Sequence, residues 1–520
     1  MQLSVDTGFE LNKDQSEAFE SLTRMVLDKD KTSIAVLIGY AGTGKSYTIN
    51  RVVEHCLSVM PILRFAMTAP THKAVRVLKA TSENPDDFLF STIHSLLGLQ
   101  QDVTSKGKVI YTRDPLSIPD KIRNVDILIV DEASMLNAEL FDHLINFQKR
   151  LSFKLIFVGD AKQINPIGEE KSNPFISTVQ QKHDMKVITL SKIVRQAGEN
   201  PIIDYATAIR SNQKYDLNSA DKGDTGISCI GKTMFALAPI LEKYFLSEEF
   251  KANPDYVKII AWRNQTVDEF NRVVRQMVYK KKVLPKILEG EYLVADKPIV
   301  KWDVKANRWA SIINTNEEMT VTRIHGVIDY PITYKLYELV KKVFSTREHA
   351  ISYIENETSI SQKGRDFWST KLALHDFANG PFSMRYRIWN RYETCVKVYR
   401  CTVRLAQGCS NFLDHTIDIL HESSEGEFED VLKQIKQCAL SVTDDLIRRQ
   451  VWVGYYNIQN HFAYTKYNYA LTSHKSQGST YEYAIIHDWD INLNTNEEEK
   501  NRIKYVAVTR ARNKLFIVKE

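Results

Sequence analysis

A glycine-rich stretch near the start of the chain has the residue types and the spacing that bind phosphate. Residues 39–46 read GYAGTGKS, which is the pattern G-x-x-x-x-G-K-S. Glycines let backbone N–H groups approach phosphate oxygens, and the N-terminus of a following helix adds partial positive charge. Lys45 would reach the β- and γ-phosphates of a nucleotide, and the Ser46 hydroxyl would ligate Mg²⁺. The predicted phosphate-binding residues are Gly39, Gly42, Thr43, Gly44, Lys45 and Ser46.

A strand and a helix are needed to position this loop. Residues 33–39, SIAVLIG, form a short apolar run rich in β-branched residues, which is typical of a buried parallel strand. After the loop, apolar residues recur on one helical face: Ile49, Val52, Val53, Cys56 and Leu57. This strand–loop–helix order favours a nucleotide site over the alternative, a tight turn that happens to carry Lys-Ser.

Two further apolar runs end in polar side chains. Residues 125–135, VDILIVDEASM, place Asp131 and Glu132 at the end of a strand, where parallel sheets bind ligands. Asp131 would hold Mg²⁺ and Glu132 would polarise an attacking water, which indicates hydrolysis. Residues 154–164, KLIFVGDAKQI, place Gln163 where its amide would sense the γ-phosphate. For Asp131 and Glu132, the alternative is an acid pair that caps the next helix. For residues 154–164, the alternative is a polar helix start with Asp160 as its N-cap.

The order of these motifs resembles that of the superfamily 1 helicases. More narrowly, it resembles the RecD-like 1B branch and the phage Dda-type helicases within it, over residues 10–325 and 465–520. The resemblance implies an ATP-dependent DNA helicase that uses ATP and Mg²⁺, moves 5′→3′ on single-stranded DNA and unwinds duplex DNA in replication, recombination or repair. It also implies an α/β fold with two RecA-like P-loop NTPase cores.

Four stretches carry the nucleotide-site part of the resemblance. Residues 11–19, LNKDQSEAF, resemble the Q motif, in which Gln15 would read the adenine edge. Residues 190–196, LSKIVRQ, resemble motif IV and make Arg195 an arginine finger, and residues 505–518 resemble motif VI and make Arg510 a second one. In motif V, LTSHKSQGST at 471–480, Gln477 and Gly478 would link DNA to the nucleotide cleft. Tyr40-Ala41 stands where proline-alanine is common before GTGK.

Other stretches resemble the parts of the family that grip DNA. Residues 68–75, TAPTHKAV, resemble motif Ia, and residues 91–98, STIHSLLG, resemble motif Ib. The implied DNA-binding residues are Pro70, Thr71, His72, Thr92, His94, His474, Lys475 and Gln477. Taken singly, Arg195 and Arg510 are more often surface cations. His94 and His474 are more often core or surface histidines whose hydrogen bonds are satisfied within the protein.

The motifs divide the chain into four parts. We expect the first motor core, 1A, at 1–95 and 120–185, and the second, 2A, at 186–325 and 466–520. Residues 96–119 contain two alternating stretches around SKGK, which indicates a hairpin. The family has a strand-separating pin (1B) at this place; a plain surface hairpin is the alternative.

The insertion 326–465 (2B) is the least readable part. In residues 384–404, arginines alternate with aromatic residues, which fits either a base-stacking surface or, as we favour, an amphipathic helix with buried aromatics. Residues 421–430, HESSEGEFED, predict a solvated loop.

Composition sets outer limits on the function. The net charge of +5 is compatible with a nucleic-acid partner without indicating one. The six cysteines form no C-x-x-C pair, so we expect free thiols in a reducing compartment. The N-terminus has no apolar signal region, and no run is long enough to span a membrane, so we expect a cytoplasmic protein, in the host cytoplasm if it is phage-encoded.

We also expect a monomer that binds single-stranded DNA and duplex junctions, with a replication or single-strand-binding protein as a candidate partner. Three rivals stay open: a nucleic-acid-binding scaffold with a vestigial ATPase, an RNA-directed helicase, and a small-molecule P-loop kinase.

Overall fold

The computed structural model describes residues 11–27, 33–113, 118–166, 168–192, 200–217, 220–223, 225–303, 308–333, 347–356, 362, 365, 368–369, 393–406, 414–441 and 445–520. Arg195, and residues 384–392 of the aromatic and basic stretch 384–404, lie outside these residues.

The first core consists of alternating strands and helices. Its strands are β1 (Ile34–Gly39), β2 (Phe65–Ala69), β3 (Phe88–Thr92), β6 (Ile127–Val130), β7 (Lys154–Gly159) and β8 (Lys186–Leu190), and the pair β4 (Gln100–Val103) and β5 (Val109–Thr112) is inserted after β3. The helices are α1 (Lys13–Leu27), α2 (Lys45–Val59), α3 (His72–Thr81), α4 (Ile93–Leu96), α5 (Asp120–Arg123), α6 (Ala138–Leu151) and α7 (Ser177–Lys182).

The six strands of this core form one parallel sheet in the order β3-β2-β6-β7-β1-β8. Both faces are covered: Val36 packs in a cluster with residues of α6, and Leu37 in a cluster with residues of α1 and α2. Burial on both faces explains why these strands are continuous apolar runs. Strand β8, which the predicted boundary at 186 assigned to the second core, pairs with β1 instead.

The second half of the chain begins with β9 (Asp221–Lys222), β10 (Thr225–Gly231), β11 (Val257–Ala261) and helices α8 (Pro201–Arg210), α9 (Met234–Phe245), α10 (Glu248–Ala252) and α11 (Asn264–Val278). The next strands are β12 (Tyr292–Ala295), β13 (Ile299–Asp303), β14 (Arg308–Ile313), β15 (Glu318–Thr333), β16 (Glu393–Leu405), β17 (Asp414–Leu420) and β18 (Thr465–Tyr467), with helices α12 (Arg347–Asn356), α13 (Glu425–Ser441) and α14 (Asp445–Gln459). The chain continues with β19 (Ala470–Thr472), β20 (Tyr481–His487), β21 (Ala511–Lys519), α15 (Ser473–Ser476), α16 (Asp488–Asn492) and α17 (Glu497–Val508).

Strands from both ends of this half build the second core. Its six-stranded sheet has the order β19-β11-β20-β21-β10-β9 and is parallel except for the short edge strand β9. The predicted α/β class with two parallel-sheet cores is therefore confirmed.

The segment between these ends forms a third sheet, which is antiparallel with the order β17-β16-β15-β12-β18. It begins at Tyr292, so the strands of the insertion start before the predicted boundary at 326. Strand β12 is short and apolar like a core strand, and its sequence does not indicate which sheet it joins.

Two local expectations for the insertion are wrong. The described part of 384–404 is the strand β16 rather than an amphipathic helix, because its buried residues recur every second position, as at Val396 and Val398. Residues 421–430 are not a loop, since α13 begins at Glu425 and buries Phe428. Acidic residues in the first turn of a helix suit its dipole, so the same composition fits a helix start.

No helix in the described part of the chain has both the length and the apolar character needed to cross a membrane.

Candidate active site and nucleic-acid interface

The loop between β1 and α2 has a backbone that requires glycine. Gly42 and Gly44 both have φ 83°, a left-handed conformation that strains other residues. A Cβ atom on Gly44 would lie 2.3 Å from Nε2 of Gln15, and one on Gly39 would lie 2.5 Å from Oγ1 of Thr43. The loop is therefore closely packed on its inner side, with its backbone shaped as a phosphate cradle.

Lys45 lies at the first position of α2 and folds back over the loop. Its Nζ donates to the carbonyl oxygens of Gly39 at 2.8 Å and of Tyr40 at 3.0 Å. The ammonium group is thus held at the mouth of the loop, where phosphate oxygens could replace these two acceptors.

Ser46 and Asp131 line one small cavity at the carboxyl ends of β1 and β6. A hydroxyl and a carboxylate are hard oxygen donors of the kind that Mg²⁺ prefers, so the two residues present fit this ion.

Gln15 is buried against the loop rather than open to solvent. Its Nε2 donates to the carbonyl oxygen of Thr43 at 3.2 Å, and its Oε1 accepts from the backbone N–H of Asn12 at 3.1 Å. The side chain therefore fixes the loop to the start of α1. Its contact with adenine stays a prediction.

Asp131 and Glu132 follow β6 directly. Glu132 has φ 51° and its backbone N–H donates to Oδ1 of Asp131 at 2.7 Å, so the two carboxylates are held in one turn. Burial raises the pKa of Asp131. Burial and the charge of Asp131 raise the pKa of Glu132 to about 7, while the positive charges of Arg510 and Lys45 act in the opposite direction. Added positive charge, such as a metal ion, would favour ionisation of both.

Gln163 and Gln477 connect the two cores. Nε2 of Gln477 donates to Oε1 of Gln163 at 2.8 Å and to Oγ of Ser134 at 3.1 Å. Gly478 follows with φ 76°, and a Cβ atom there would lie 3.8 Å from Oε1 of Glu132. The motif V loop of the second core therefore lies directly against the carboxylate turn of the first.

Two residues of α17 that the motif analysis did not single out also cross between the cores. The Tyr505 hydroxyl donates to Oδ2 of Asp160 at 2.7 Å and accepts from the backbone N–H of Ala41 at 3.1 Å. Arg502 donates to the carbonyl oxygens of Ala161 and Gln163, both at 2.9 Å. Tyr505 and Arg502 lie three positions apart and therefore share one face of α17. This spacing was the feature of the sequence that could have indicated a shared contact with the first core.

Arg510 is buried at the end of α17. Its guanidinium donates to the carbonyl oxygens of Val506 at 2.9 Å and Ser479 at 2.8 Å, both within the second core. Burial lowers its pKa, and the charge of Glu132 across the cleft opposes that effect. The side chain is therefore within electrostatic reach of the carboxylate turn; the second predicted finger, Arg195, lies outside the described residues.

Three threonines in the predicted DNA motifs cap helices at the carboxyl ends of strands. Oγ1 of Thr71 accepts from the N–H of Ala74 at 3.2 Å, Thr92 caps α4 and Thr472 caps α15 in the same way. Pro70 and His72 flank the first of these caps. Contacts of these residues with DNA stay predictions.

Two of the other predicted DNA residues, His94 and Lys475, have side-chain partners in the protein. The His94 ring packs edge-on against Tyr111 of β5, with centroids 4.6 Å apart. Nζ of Lys475 donates to Oδ1 of Asp296 at 2.7 Å. Burial lowers the pKa of both His94 and His474, which favours neutral imidazoles.

Lys73 in motif Ia forms a buried link between α3 and the third sheet. Its Nζ donates to Oε1 of Glu318 at 2.6 Å, with side chains 8% and 4% exposed. Nδ2 of Asn468 donates to the same oxygen at 2.9 Å. This pair joins residues 245 positions apart, which no local pattern predicts.

The hairpin β4–β5 leans on α14 of the insertion. Arg449 donates to both carboxylate oxygens of Asp102, at 2.7 and 2.8 Å, and to the carbonyl oxygen of Val103 at 2.9 Å. Gly107 at the tip has φ 78°, and a Cβ atom there would lie 2.4 Å from the Trp452 ring. The hairpin is therefore braced at both its strands and its tip.

Comparison with known proteins gives matches in both cores. Residues 10–225 match the family model of an AAA domain, and residues 467–518 match that of a UvrD-like helicase C-terminal domain. The ATP-dependent DNA helicase dda of Enterobacteria phage T4 is 24% identical to this chain, over 98% of this chain and 99% of that protein. An uncharacterized protein of Acanthamoeba polyphaga mimivirus is 25% identical, over 94% of this chain and 96% of its own. The crystal structure of the Pif1 helicase from Candida albicans aligns with a TM-score of 0.45 and 16% identity, covering 98% of this chain and 95% of that one.

The fold has two α/β cores, each built on a six-stranded sheet; the first carries the P-loop and the second brings Arg510 near the carboxylate turn. The two family models match these cores in the same order, and helicase relatives align along the chain. These two domains and the helicase relatives confirm the resemblance of the motifs to the RecD-like 1B branch of the superfamily 1 helicases.

Proposed function

We propose that this protein is an ATP-dependent DNA helicase that moves along single-stranded DNA and separates duplex DNA. The observation that carries the proposal is the contact between the cores. The P-loop and the carboxylate turn of one core face Arg510 of the other, and Gln477 bonds directly to Gln163. A nucleotide bound at the loop would therefore touch both cores at once.

The chemistry assigned to this site is hydrolysis of the γ-phosphate. Lys45 would leave its two carbonyl acceptors for the phosphates, and Glu132 would orient the attacking water. Mg²⁺, held by Ser46 and Asp131, would supply charge neutralisation on the phosphates. Arg510, and Arg195 from motif IV, would stabilise the charge of the transition state, and arginine fingers of this kind contribute roughly 10³–10⁵ in rate.

Because hydrolysis needs both cores, ATP turnover would close and reopen the cleft. Motifs Ia and Ib lie in the first core and motif V in the second, so their separation would change with each cycle. A base-pair step costs on average about 1.4 kcal/mol. A moving motor with a blunt wedge would suffice to open a duplex.

The hairpin β4–β5 is our candidate for that wedge. Its support from α14 through Arg449 and Trp452 suits a part that must resist a load. His94 packs on Tyr111 of the hairpin, so the wedge would stand next to the motif Ib grip.

The finer properties rest on the family resemblance. They are 5′→3′ movement, a role in replication, recombination or repair, action as a monomer on single strands and duplex junctions, a replication or single-strand-binding protein as partner, and a cytoplasmic location.

ATP hydrolysis with single-stranded DNA, single-stranded RNA or no polymer tests the proposal. We expect strong stimulation by DNA and less by RNA. Stimulation by RNA alone would favour an RNA-directed helicase, and hydrolysis that no polymer changes would contradict a nucleic-acid motor.

A further inference from the structure

Tyr40 is the P-loop residue that departs from the family pattern, and it contacts a cation from each core. Its carbonyl oxygen accepts from Nζ of Lys45 at 3.0 Å. Its ring lies under the guanidinium of Arg210, the last residue of α8, with Cζ 3.4 Å from the ring centroid. Tyr40 thus holds two positive charges, those of Lys45 and Arg210, beside the phosphate loop.

Arg210 lines a cavity of ≈ 180 Å³ that opens onto the phosphate loop. The wall of this cavity also includes Ala41 and Gly42 of the loop and Tyr505 and Arg512 of the second core. Within the described part of the chain, Arg210 forms no salt bridge, whereas Arg512 on the same wall donates to Oε1 of Glu482 at 3.0 Å. Among the described residues, no ion pair compensates the charge that Arg210 brings to the cavity.

The way Arg210 is held leaves its hydrogen-bond donors available. A guanidinium stacked on an aromatic ring uses its flat face, so its N–H groups still point outward in the plane. These groups match phosphate oxygens, which accept two parallel hydrogen bonds from arginine. A carboxylate partner would have occupied the same donors.

We propose that Arg210 binds the terminal phosphate of ATP from the second core, and that Tyr40 is the positioning residue that holds its guanidinium at the loop. Arg210 is then a nucleotide contact in addition to Arg195 and Arg510. This inference rests on the proposed function, because it assumes that the P-loop binds a nucleoside triphosphate. It predicts that Arg210 distinguishes a triphosphate from a diphosphate.

Equilibrium binding of ATPγS and of ADP to the full chain, with Mg²⁺, tests the assignment. Arg210→Gln should weaken ATPγS binding roughly tenfold or more, since a charge-assisted hydrogen bond is lost, and change ADP binding much less. Tyr40→Leu should lose part of the same preference, and Tyr40→Phe should keep it because the ring remains. Arg404→Gln removes a cation of the third sheet that is paired with Asp414 and does not line this cavity, and should leave both affinities unchanged.

Two results would overturn the inference. Equal weakening of ATPγS and ADP in Arg210→Gln would make Arg210 a structural brace between the cores. Unchanged affinities for both nucleotides in that variant would remove Arg210 from the site. Failure of the proposed function looks different, because wild-type protein would then bind neither nucleotide.

Discussion

The side-chain amide of Gln477 in the second core donates a hydrogen bond to Oε1 of Gln163 in the first, at 2.8 Å. Both side chains are buried, at 6% and 5% exposure, so water does not compete for the bond. Gln477 lies three positions after the predicted DNA residue His474. Gln163 follows β7, which pairs with β6, the strand that precedes the carboxylate turn. The bond therefore links the predicted DNA grip directly to the nucleotide cleft.

Removal of this bond should uncouple hydrolysis from DNA. In Gln477→Ala, we expect ATP binding to be retained and the stimulation of ATPase activity by single-stranded DNA to fall roughly 5- to 150-fold, the usual range of a coupling energy. The measurement is the ratio of ATPase rates with and without DNA. Gln265→Ala is the matched control, because that side chain bonds to Glu269 on the exposed surface of α11. Undiminished stimulation in Gln477→Ala would remove the bond from the coupling route.

Glu132 should be needed for hydrolysis and not for binding. Glu132→Gln keeps the size of the side chain but cannot act as a base, so turnover should fall roughly 10²–10⁴-fold. Binding of ATPγS should be retained. Lys45→Ala should instead weaken nucleotide binding, because the cation at the mouth of the loop is lost. Wild-type turnover in either variant would contradict these roles.

The buried pair of Lys73 and Glu318 should make stability depend on pH. Burial alone would raise the pKa of Glu318, but the charges of Lys73 and Lys258 outweigh it and hold the pKa below the usual 4.5. Since the pKa is lower in the folded state, the stabilisation is present above pH 4.5 and is lost as pH falls below it. Glu318→Gln removes the carboxylate that is hydrogen-bonded to the buried Lys73, and leaves Asp255 at 4.0 Å as the remaining acid. It should therefore lower the free energy of unfolding by about 3–5 kcal/mol at pH 7.

Denaturant unfolding at several pH values between 7 and 3 would measure this effect. The difference between wild type and Glu318→Gln should shrink below pH 4.5. Glu248→Gln is the control, because its pair with Lys251 is exposed and should contribute little at any pH. A difference that is constant with pH would mean that Glu318 is not ionised in the folded protein.

A loosened hairpin should impair strand separation and spare movement along a single strand. Gly107→Ala places a Cβ atom against the Trp452 ring, so the tip must leave α14. We expect slower unwinding, with DNA-stimulated ATPase activity and single-strand translocation largely kept. The control is Gly223→Ala, which has the same kind of strain at φ 75°, but its Cβ atom would have no atom of the described residues within 4 Å. Unwinding at the wild-type rate would make the hairpin an ordinary surface loop.

The two cores and the ends of their strands could be predicted because each of these features depends on residues that are close together in the sequence. A strand, a glycine loop and a helix start lie within about twenty residues, so the position of Lys45 and Asp131 at one sheet edge follows from pattern and parallel topology. Pairing between distant segments could not be read in the same way. KVITL is clearly a strand, but its membership in the first sheet depends on β1, about 150 residues earlier.

The contacts that join the domains were equally hidden. Lys73 belongs to a motif associated with DNA, and only the three-dimensional structure pairs it with Glu318. Arg449 and Trp452 lie in a helix whose sequence gives no sign of the hairpin that it supports. Arg510 was predicted from its motif, but its hydrogen bonds to its own core were not.

Strand separation tests the central claim most directly. The substrates are two duplexes of equal sequence, one with a 5′ and one with a 3′ single-stranded tail, each with a labelled strand. We predict that wild-type protein with ATP and Mg²⁺ releases the labelled strand from the 5′-tailed duplex, and that Glu132→Gln does not. Preference for the 3′ tail would contradict only the direction. Release at the same rate without ATP, or no release from either duplex, would contradict the assignment of this protein as an ATP-dependent DNA helicase.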